Sequence, residues 1–147
     1  VFGESLRRIH SLSTTECPYR HRITEMLEEI ETKGNLPKYD LEIIPEGFEK
    51  AYNKLNQLKS LAEEDVVLHG DYCLPNIILK DFELKGFIDL GSGGVGDRHW
   101  DLFWGIWTLQ YNLKTDKYRD IFLDAYGKRE VDEERLEMCR LIAGLTE

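Results

Sequence analysis

Apolar residues recur at helical spacing over most of the chain. Leu6, Ile9 and Leu12 predict a short helix over residues 2–12. Pro18 then marks a boundary. Ile23, Met26, Leu27 and Ile30 form one apolar stripe at i, i+3, i+4, i+7, and Gly34-Asn35-Leu36-Pro37 is expected to end that helix. Residues 35–46 read as a loop. Phe48, Ala51, Tyr52, Leu55, Leu58 and Leu61 predict a further helix over about 46–62.

The period then changes. Val66-Val67-Leu68 is short and mostly β-branched. Residues 76–80 and 84–88 are two further apolar runs joined by Asp81-Phe82-Glu83, which predicts a β-hairpin. A glycine-rich loop over 91–96 follows. Helical stripes return at Trp100, Phe103, Trp104 and Trp107, at Tyr118, Ile121, Phe122 and Ala125, and at Leu136, Cys139 and Ile142. Gly127 is expected to end the second of these helices and Asp132 to cap the third. The expected fold is α+β and mostly helical, with a small hairpin in mid-sequence.

Composition narrows the function classes. A length of 147 residues fits one domain, 1–147, and 41% hydrophobic residues suffice for a packed core. The formal net charge of -9 speaks against a general nucleic-acid surface. No apolar run reaches the roughly 20 residues of a membrane span. Val1 to Arg8 has the wrong charge order for a signal peptide. Cys17, Cys73 and Cys139 are sparse and odd in number, which points to free thiols in a reducing cytoplasm.

The chemistry concentrates between residues 67 and 91. His69-Gly70-Asp71 and Asn76 have the form H-x-D-x-x-x-x-N, and Asp89-Leu90-Gly91 supplies D-x-G. Phosphoryl transfer from ATP needs these groups. Asp71 is placed to meet an acceptor hydroxyl as the base. Asn76 and Asp89, at paired ends of the hairpin, are placed to hold Mg²⁺ with oxygen ligands. His69 is expected to brace the loop rather than touch substrate. Cys73 has no neighbour that would lower its pKa, so it is not expected to act as a nucleophile.

Gly91-Ser92-Gly93-Gly94-Val95-Gly96 also satisfies G-x-G-x-x-G, with Asp116 about 20 residues on. Dinucleotide binding is not expected, because that fold repeats βαβ units and the residues after this segment read as helices. The glycines more simply let a tight segment pass beside the metal ligands.

These residues resemble the aminoglycoside 3'-phosphotransferases, within the protein-kinase-like superfamily. Leu6-Arg7-Arg8-Ile9-His10-Ser11 is similar to the family's Leu-His-Ser helix, and Cys17-Pro18-Tyr19 to the segment after it. Val67 to Asn76 resembles its catalytic loop. Gly86 to Gly94 fits G-x-x-D-x-G-x-x-G, and Gly96 to Leu102 fits the Asp-Arg-x-x-Asp-Leu block after it. The resemblance implies an ATP- and Mg²⁺-dependent kinase that phosphorylates a hydroxyl of a cationic aminoglycoside and confers antibiotic resistance. It implies Asp71 as base, Asn76 and Asp89 as metal ligands, and Asp101 as a carboxylate supporting the loop. Asp97 and Arg98 are expected either to pair in that support or to form an exposed ion pair.

The acceptor class is also legible in the residues. Only twelve positions separate Asp89 from Asp101, too few for a protein kinase's activation segment, so a small-molecule acceptor fits better. Residues 25–49 carry eight carboxylates against Lys33 and Lys38. Glu25, Glu28, Glu29 and Glu31 read as a solvated helix face, while Asp40 and Glu42 are candidates for ammonium contacts. The family's acidic pair near the C-terminus has no match, which leaves Glu147 and the terminal carboxylate as the acceptor contacts there. Two other readings stay open: a kinase of the same fold with a choline, homoserine or macrolide acceptor, and a non-catalytic ligand-binding fragment.

A kinase of this type also needs a strand-rich lobe to cover ATP, with a Lys on the phosphates. Residues 1–62 read as helices and do not supply it. The chain is therefore expected to be a C-terminal lobe that lacks its N-terminal nucleotide-covering partner and has little turnover alone.

Overall fold

The computed structural model describes residues 1–33 and 39–146. The expected helix end at Gly34–Pro37 and the acceptor candidate Glu147 lie outside them. Among the described residues there are six α-helices: α1 (Phe2–His10), α2 (Arg22–Thr32), α3 (Phe48–Leu58), α4 (Arg98–Leu113), α5 (Arg119–Tyr126) and α6 (Glu133–Thr146). Four short strands lie between α3 and α4: β1 (Val66–Leu68), β2 (Ile77–Lys80), β3 (Glu83–Phe87) and β4 (Gly94–Gly96).

The apolar stripes bury as two cores. One gathers Ile23 and Ile30 of α2, Ala51 and Leu55 of α3, and Leu141 and Ile142 of α6. The other gathers Leu6 and Ile9 of α1, Leu102 and Leu109 of α4, and Phe122 and Tyr126 of α5. Helix α4 joins them, since its Trp100 packs in the first core and its Leu102 in the second. The loop that carries the candidate base crosses this seam. Leu68 on one side of it is anchored in the first core, and Tyr72 on the other side in the second. Truncating a fully buried aliphatic anchor such as Leu68 typically costs about 2–5 kcal/mol, so both ends of the loop are firmly held.

The expected hairpin forms between β2 and β3, with Ile77 opposite Phe87 and a bulge between Ile78 and Leu79. The glycine-rich segment is not wholly loop. Its second half is β4, antiparallel to β1, with Val66 opposite Gly96 and Leu68 opposite Gly94. Glycines leave no alternating side-chain pattern, so this strand follows from pairing with β1 and has no signature of its own. Gly94 lies at φ +148°, where a Cβ would come within 2.7 Å of the Tyr19 carbonyl oxygen. That close approach lets Val95 N–H donate to Tyr19 O at 2.6 Å, stitching the 13–20 segment across the strand.

Acidic side chains cap two helices, Asp132 as expected and Asp97 unexpectedly. Asp132 accepts from the Glu134 and Arg135 N–H groups at the start of α6. Asp97 accepts from the His99 N–H at the start of α4. Among the described residues no helix is long and apolar enough to cross a membrane.

Candidate active site

The segment from His69 to Asn76 is held from below by one carboxylate. Asp101 is fully buried on the first turn of α4. Its Oδ2 accepts from the His69 N–H at 2.8 Å and its Oδ1 from the Gly70 N–H at 2.9 Å. Charge-assisted bonds of this kind are about twice as strong as neutral ones. The Gly70 carbonyl is fixed from the other side by the Trp100 indole N–H at 3.0 Å. Gly70 lies at φ +92°, and a Cβ there would meet the Ser92 carbonyl oxygen at 2.2 Å. Only glycine lets the loop pass this close to the segment after Asp89.

His69 braces the loop, as its position in the sequence suggests. Its Nε2 lies 3.0 Å from the Ile88 carbonyl oxygen, which can only accept, so Nε2 carries the proton. Its Nδ1 then accepts from the Asp71 N–H at 3.2 Å. The ring ties the residue before Asp89 to the candidate base. Tyr72 is buried beneath the loop, stacks on Phe2 at 4.7 Å and donates to the Phe2 carbonyl at 2.6 Å. Burial pushes its phenol well above the usual range, so it stays a donor.

Asp71 itself is exposed at the top of this support. The Asn76 Nδ2 donates to its backbone oxygen at 2.8 Å and to its Oδ2 at 2.9 Å. These bonds orient the Asp71 carboxylate and turn the Asn76 Oδ1 the other way. Asn76 ends a 3₁₀ turn, Leu74–Asn76, and its backbone oxygen accepts from the Ile88 N–H at 2.9 Å. Asp89 is the next residue, exposed and at φ 56°, ψ 53°. A left-handed conformation at a non-glycine residue costs roughly 1–2 kcal/mol, and such strain gathers at functional positions. The hairpin register thus brings the chain next to Asp89 against Asn76. The donor chemistry suits Mg²⁺: the Asn76 amide oxygen and the exposed Asp89 carboxylate are hard ligands of the kind this ion takes alongside waters and phosphate oxygens.

An open cleft of ≈ 580 Å³ spreads in front of Asp71. Asp40, Glu29 and Arg22 line it together with Trp100, Trp104 and Trp107 of α4, and Ser92 and Thr146 also reach it. Asp40 and Asp71, predicted from sequence, are brought together here. Glu42 is exposed and outside the lining, and its N–H is taken by the Asp40 Oδ1 at 2.8 Å. Glu29, read from sequence as solvated helix face, borders the cleft. Cys73 also borders the cleft, but its thiol donates to the Asp71 Oδ1, and burial together with that carboxylate pushes it up to about 12.

The Asp40 side of the cleft is clamped to α6. The Asp40 N–H donates to the Gly144 carbonyl at 2.8 Å. Arg140 of α6 donates to the Ile43 carbonyl at 2.7 Å, and to the carboxylates of Glu46 and Glu137 at 2.6 Å each. Those bonds hold Glu46 below its ordinary range and Glu137 at about 2.

The block after β4 is arranged differently from either expected pairing. Asp97 is fully buried and does not pair with Arg98. It accepts from the Glu63 N–H, from His99 Nδ1 at 2.8 Å and from Arg135 Nε at 3.0 Å. Burial alone would raise its carboxyl, but His99 and the Glu63 N–H outweigh burial and hold it low. Arg98 instead reaches Asp65 at 3.7 Å, Glu130 at 3.3 Å and the Tyr126 hydroxyl at 3.3 Å. Adjacent residues entering a helix point apart, which separates the two side chains. Sequence reasoning missed His10 as well. Its Nε2 donates to Asp101 at 2.9 Å, and its Nδ1 lies 2.7 Å from the Tyr126 hydroxyl. A partner 91 positions away leaves no local signal.

The comparisons with known proteins agree with this geometry. The model of the phosphotransferase enzyme family matches residues 2–139. A protein of Lactococcus lactis named "Probable aminoglycoside 3'-phosphotransferase" is 44% identical over 92% of this chain and 53% of its own length. An aminoglycoside 3'-phosphotransferase of Niallia circulans is 34% identical over the same shares of the two chains, 92% and 53%. The chain spans about half the length of the curated relatives it matches. Among solved structures, an aminoglycoside 3'-phosphotransferase of type VIII superposes with a TM-score of 0.75 at 26% identity, covering 98% of this chain and 58% of that one. An aminoglycoside phosphotransferase of Streptomyces rimosus shares the fold at 23% identity, with a TM-score of 0.66 over 100% of this chain and 62% of that one. Taken together, the H-x-D loop, the hairpin and the family match over most of the chain show that it belongs to the phosphotransferase enzyme family, among relatives named aminoglycoside 3'-phosphotransferases.

Proposed function

We propose that this chain is the acceptor-binding, catalytic lobe of a kinase that phosphorylates a hydroxyl of an aminoglycoside. One observation carries the proposal: Asp71, oriented by the Asn76 amide, opens onto a cleft whose other walls bear Asp40 and Glu29, the latter paired with Lys33. A carboxylate poised for a hydroxyl thus shares a pocket with carboxylates that attract a polycation. The names of the relatives support the acceptor class.

In this reading Asp71 orients the acceptor hydroxyl and takes its proton as the oxygen forms its bond to the γ-phosphorus of ATP. The bond to the bridging oxygen breaks and ADP leaves. Asn76 Oδ1 and the Asp89 carboxylate would hold Mg²⁺, which, when bound, offsets the negative charge of the phosphate oxygens. Asp101 and His69 keep Asp71 and the Asp89 segment in fixed relation. Asp40 meets an ammonium group of the acceptor. Glu42 and Glu147 are proposed to contribute charge around it, Glu42 from outside the cleft lining.

Grip on the nucleotide is proposed to need a strand-rich lobe that residues 1–33 and 39–146 do not form. The 147-residue chain alone is expected to turn over little or no ATP. The test is a panel of acceptors with ATP consumption as the readout, run on the chain alone and on the chain joined to a nucleotide-covering lobe. Transfer to aminoglycosides by the joined protein supports the proposal. Transfer only to choline, homoserine or a macrolide would replace the acceptor class, and robust turnover by the isolated chain would overturn the division of labour.

A further inference from the structure

The acidic cleft has an aromatic side that an acidic surface alone does not explain. Trp104 and Trp107 of α4 are only half-buried and both border it, opposite Glu29 of α2 and Asp40. They belong to a ladder along the helix. Trp100 meets Trp104 edge-on at 6.0 Å, Trp104 meets Trp107 edge-on at 5.4 Å, and Trp107 stacks on Tyr111 at 4.7 Å. Each ring is therefore locked by its neighbours before any ligand arrives, so little side-chain entropy is lost on binding. The outer end of the ladder already receives a cation: Lys114 Nζ lies 4.5 Å over the Tyr111 ring. Of the cations near the cleft among the described residues, Arg22 is engaged by Glu25 at 2.7 Å and Lys33 by Glu29, so the acidic wall is Asp40 beside an ion-paired Glu29.

Indoles beside carboxylates suit one ligand chemistry. An ammonium group is drawn to the carboxylates and to the electron-rich indole face together, while the C–H face of a sugar ring covers the apolar part of the indole. We propose that Trp104 and Trp107 determine acceptor specificity by contacting an ammonium-bearing sugar ring held between them and the carboxylates of Glu29 and Asp40, an inference that rests on the aminoglycoside reading above. A cleft of ≈ 580 Å³ falls in the size range of pockets that enclose a small molecule. Neutral sugars lack the charge, and acyclic amines lack the ring, so both are selected against.

The test needs no turnover. The protein has three tryptophans, and Trp100, Trp104 and Trp107 all line this one cleft, so intrinsic fluorescence reads its occupancy. Kanamycin is titrated into the 147-residue chain, followed by fluorescence and calorimetry, with glucose as the neutral control. A saturable change with kanamycin and none with glucose is expected. Trp107→Leu is expected to weaken kanamycin binding about tenfold while Trp107→Phe stays within about threefold, because the contact needs an aromatic face. Thermal unfolding checks that each variant is folded, and the pair Trp104→Leu and Trp104→Phe is read in the same way. Leucine variants that bind as tightly as the parent, or leucine and phenylalanine variants that lose affinity equally, would overturn the proposal. A folded parent chain that does not bind kanamycin at all would overturn the aminoglycoside reading itself, a separable result.

Discussion

The floor and the rim of the site are built to opposite rules. Beneath the H-x-D loop, Asp101, His69, Asp97 and His99 are fully buried, and every one has its polar atoms engaged. On the rim, Asp71 and Asp89 face solvent, Asp89 in a strained left-handed conformation. Buried polar groups must be satisfied internally, so the floor is rigid and spent. Groups on the rim keep open valences, and these are what a substrate and a metal can use. Reactivity here is positional: the same residue type, aspartate, is scaffold at 97 and 101 and a candidate reagent at 71 and 89.

Substitutions in the floor should therefore damage folding as well as chemistry. Asp101→Ala leaves the His69 and Gly70 N–H groups and His10 Nε2 without their shared acceptor, and is expected to cost about 3–5 kcal/mol in denaturant unfolding. An unfolding curve unchanged by that substitution would erase the distinction between floor and rim.

The clamp between α6 and the Asp40 loop tests an intermediate case, because its ion pairs are only partly buried. Arg140→Met is expected to cost about 1–3 kcal/mol and to weaken acceptor binding by freeing the Asp40 loop. The same pairs set an acid limit. Glu137 titrates at about 2 in the fold against an ordinary 4.5, so the unfolded chain binds its proton more readily. The clamp's contribution is thus complete above about pH 4.5 and is lost as the pH falls toward 2. In Arg140→Met, stability measured between those two pH values is expected to fall less steeply than in the parent.

Cys73 gives the smallest expected effect. Its thiol, pushed up to about 12, is protonated at neutral pH and only donates to Asp71. At pH 8, labelling of the Cys73 peptide by iodoacetamide, followed by mass spectrometry, should run slower than for an unperturbed thiol by on the order of 10³. Cys73→Ser should leave turnover within about twofold. Rapid labelling at this position would move Cys73 from the floor's rules to the rim's.

The rim was more legible in the sequence than the floor. Asp71, Asn76 and Asp89 fall within 19 positions, with the floor residue His69 only two positions before them, and the hairpin that aligns them is itself local. Two short apolar runs marked that hairpin to within a residue at each end, and amphipathic stripes marked the six helices of the described residues. The floor depends on contacts across the chain. His10 meets Asp101 across 91 positions, Arg135 meets Asp97 across 38, and β4 exists because its glycines pair with β1. No local pattern encodes such partners. That the partly exposed Glu29 borders the cleft was not legible for a related reason: helical periodicity fixes which residues share a face but not whether a cleft or solvent lies beyond it.

The most direct test of the account is Asp71→Asn, which keeps the shape of the rim but removes the carboxylate charge and one of the two oxygens that accept from Asn76 and Cys73. It is made in the chain joined to a nucleotide-covering lobe, and both ATP-dependent transfer to an aminoglycoside and acceptor affinity are measured. The account predicts a fall in kcat of about 10²–10⁴, with acceptor Kd and unfolding free energy nearly unchanged. Turnover equal to that of the parent would contradict the assignment of Asp71 as the base.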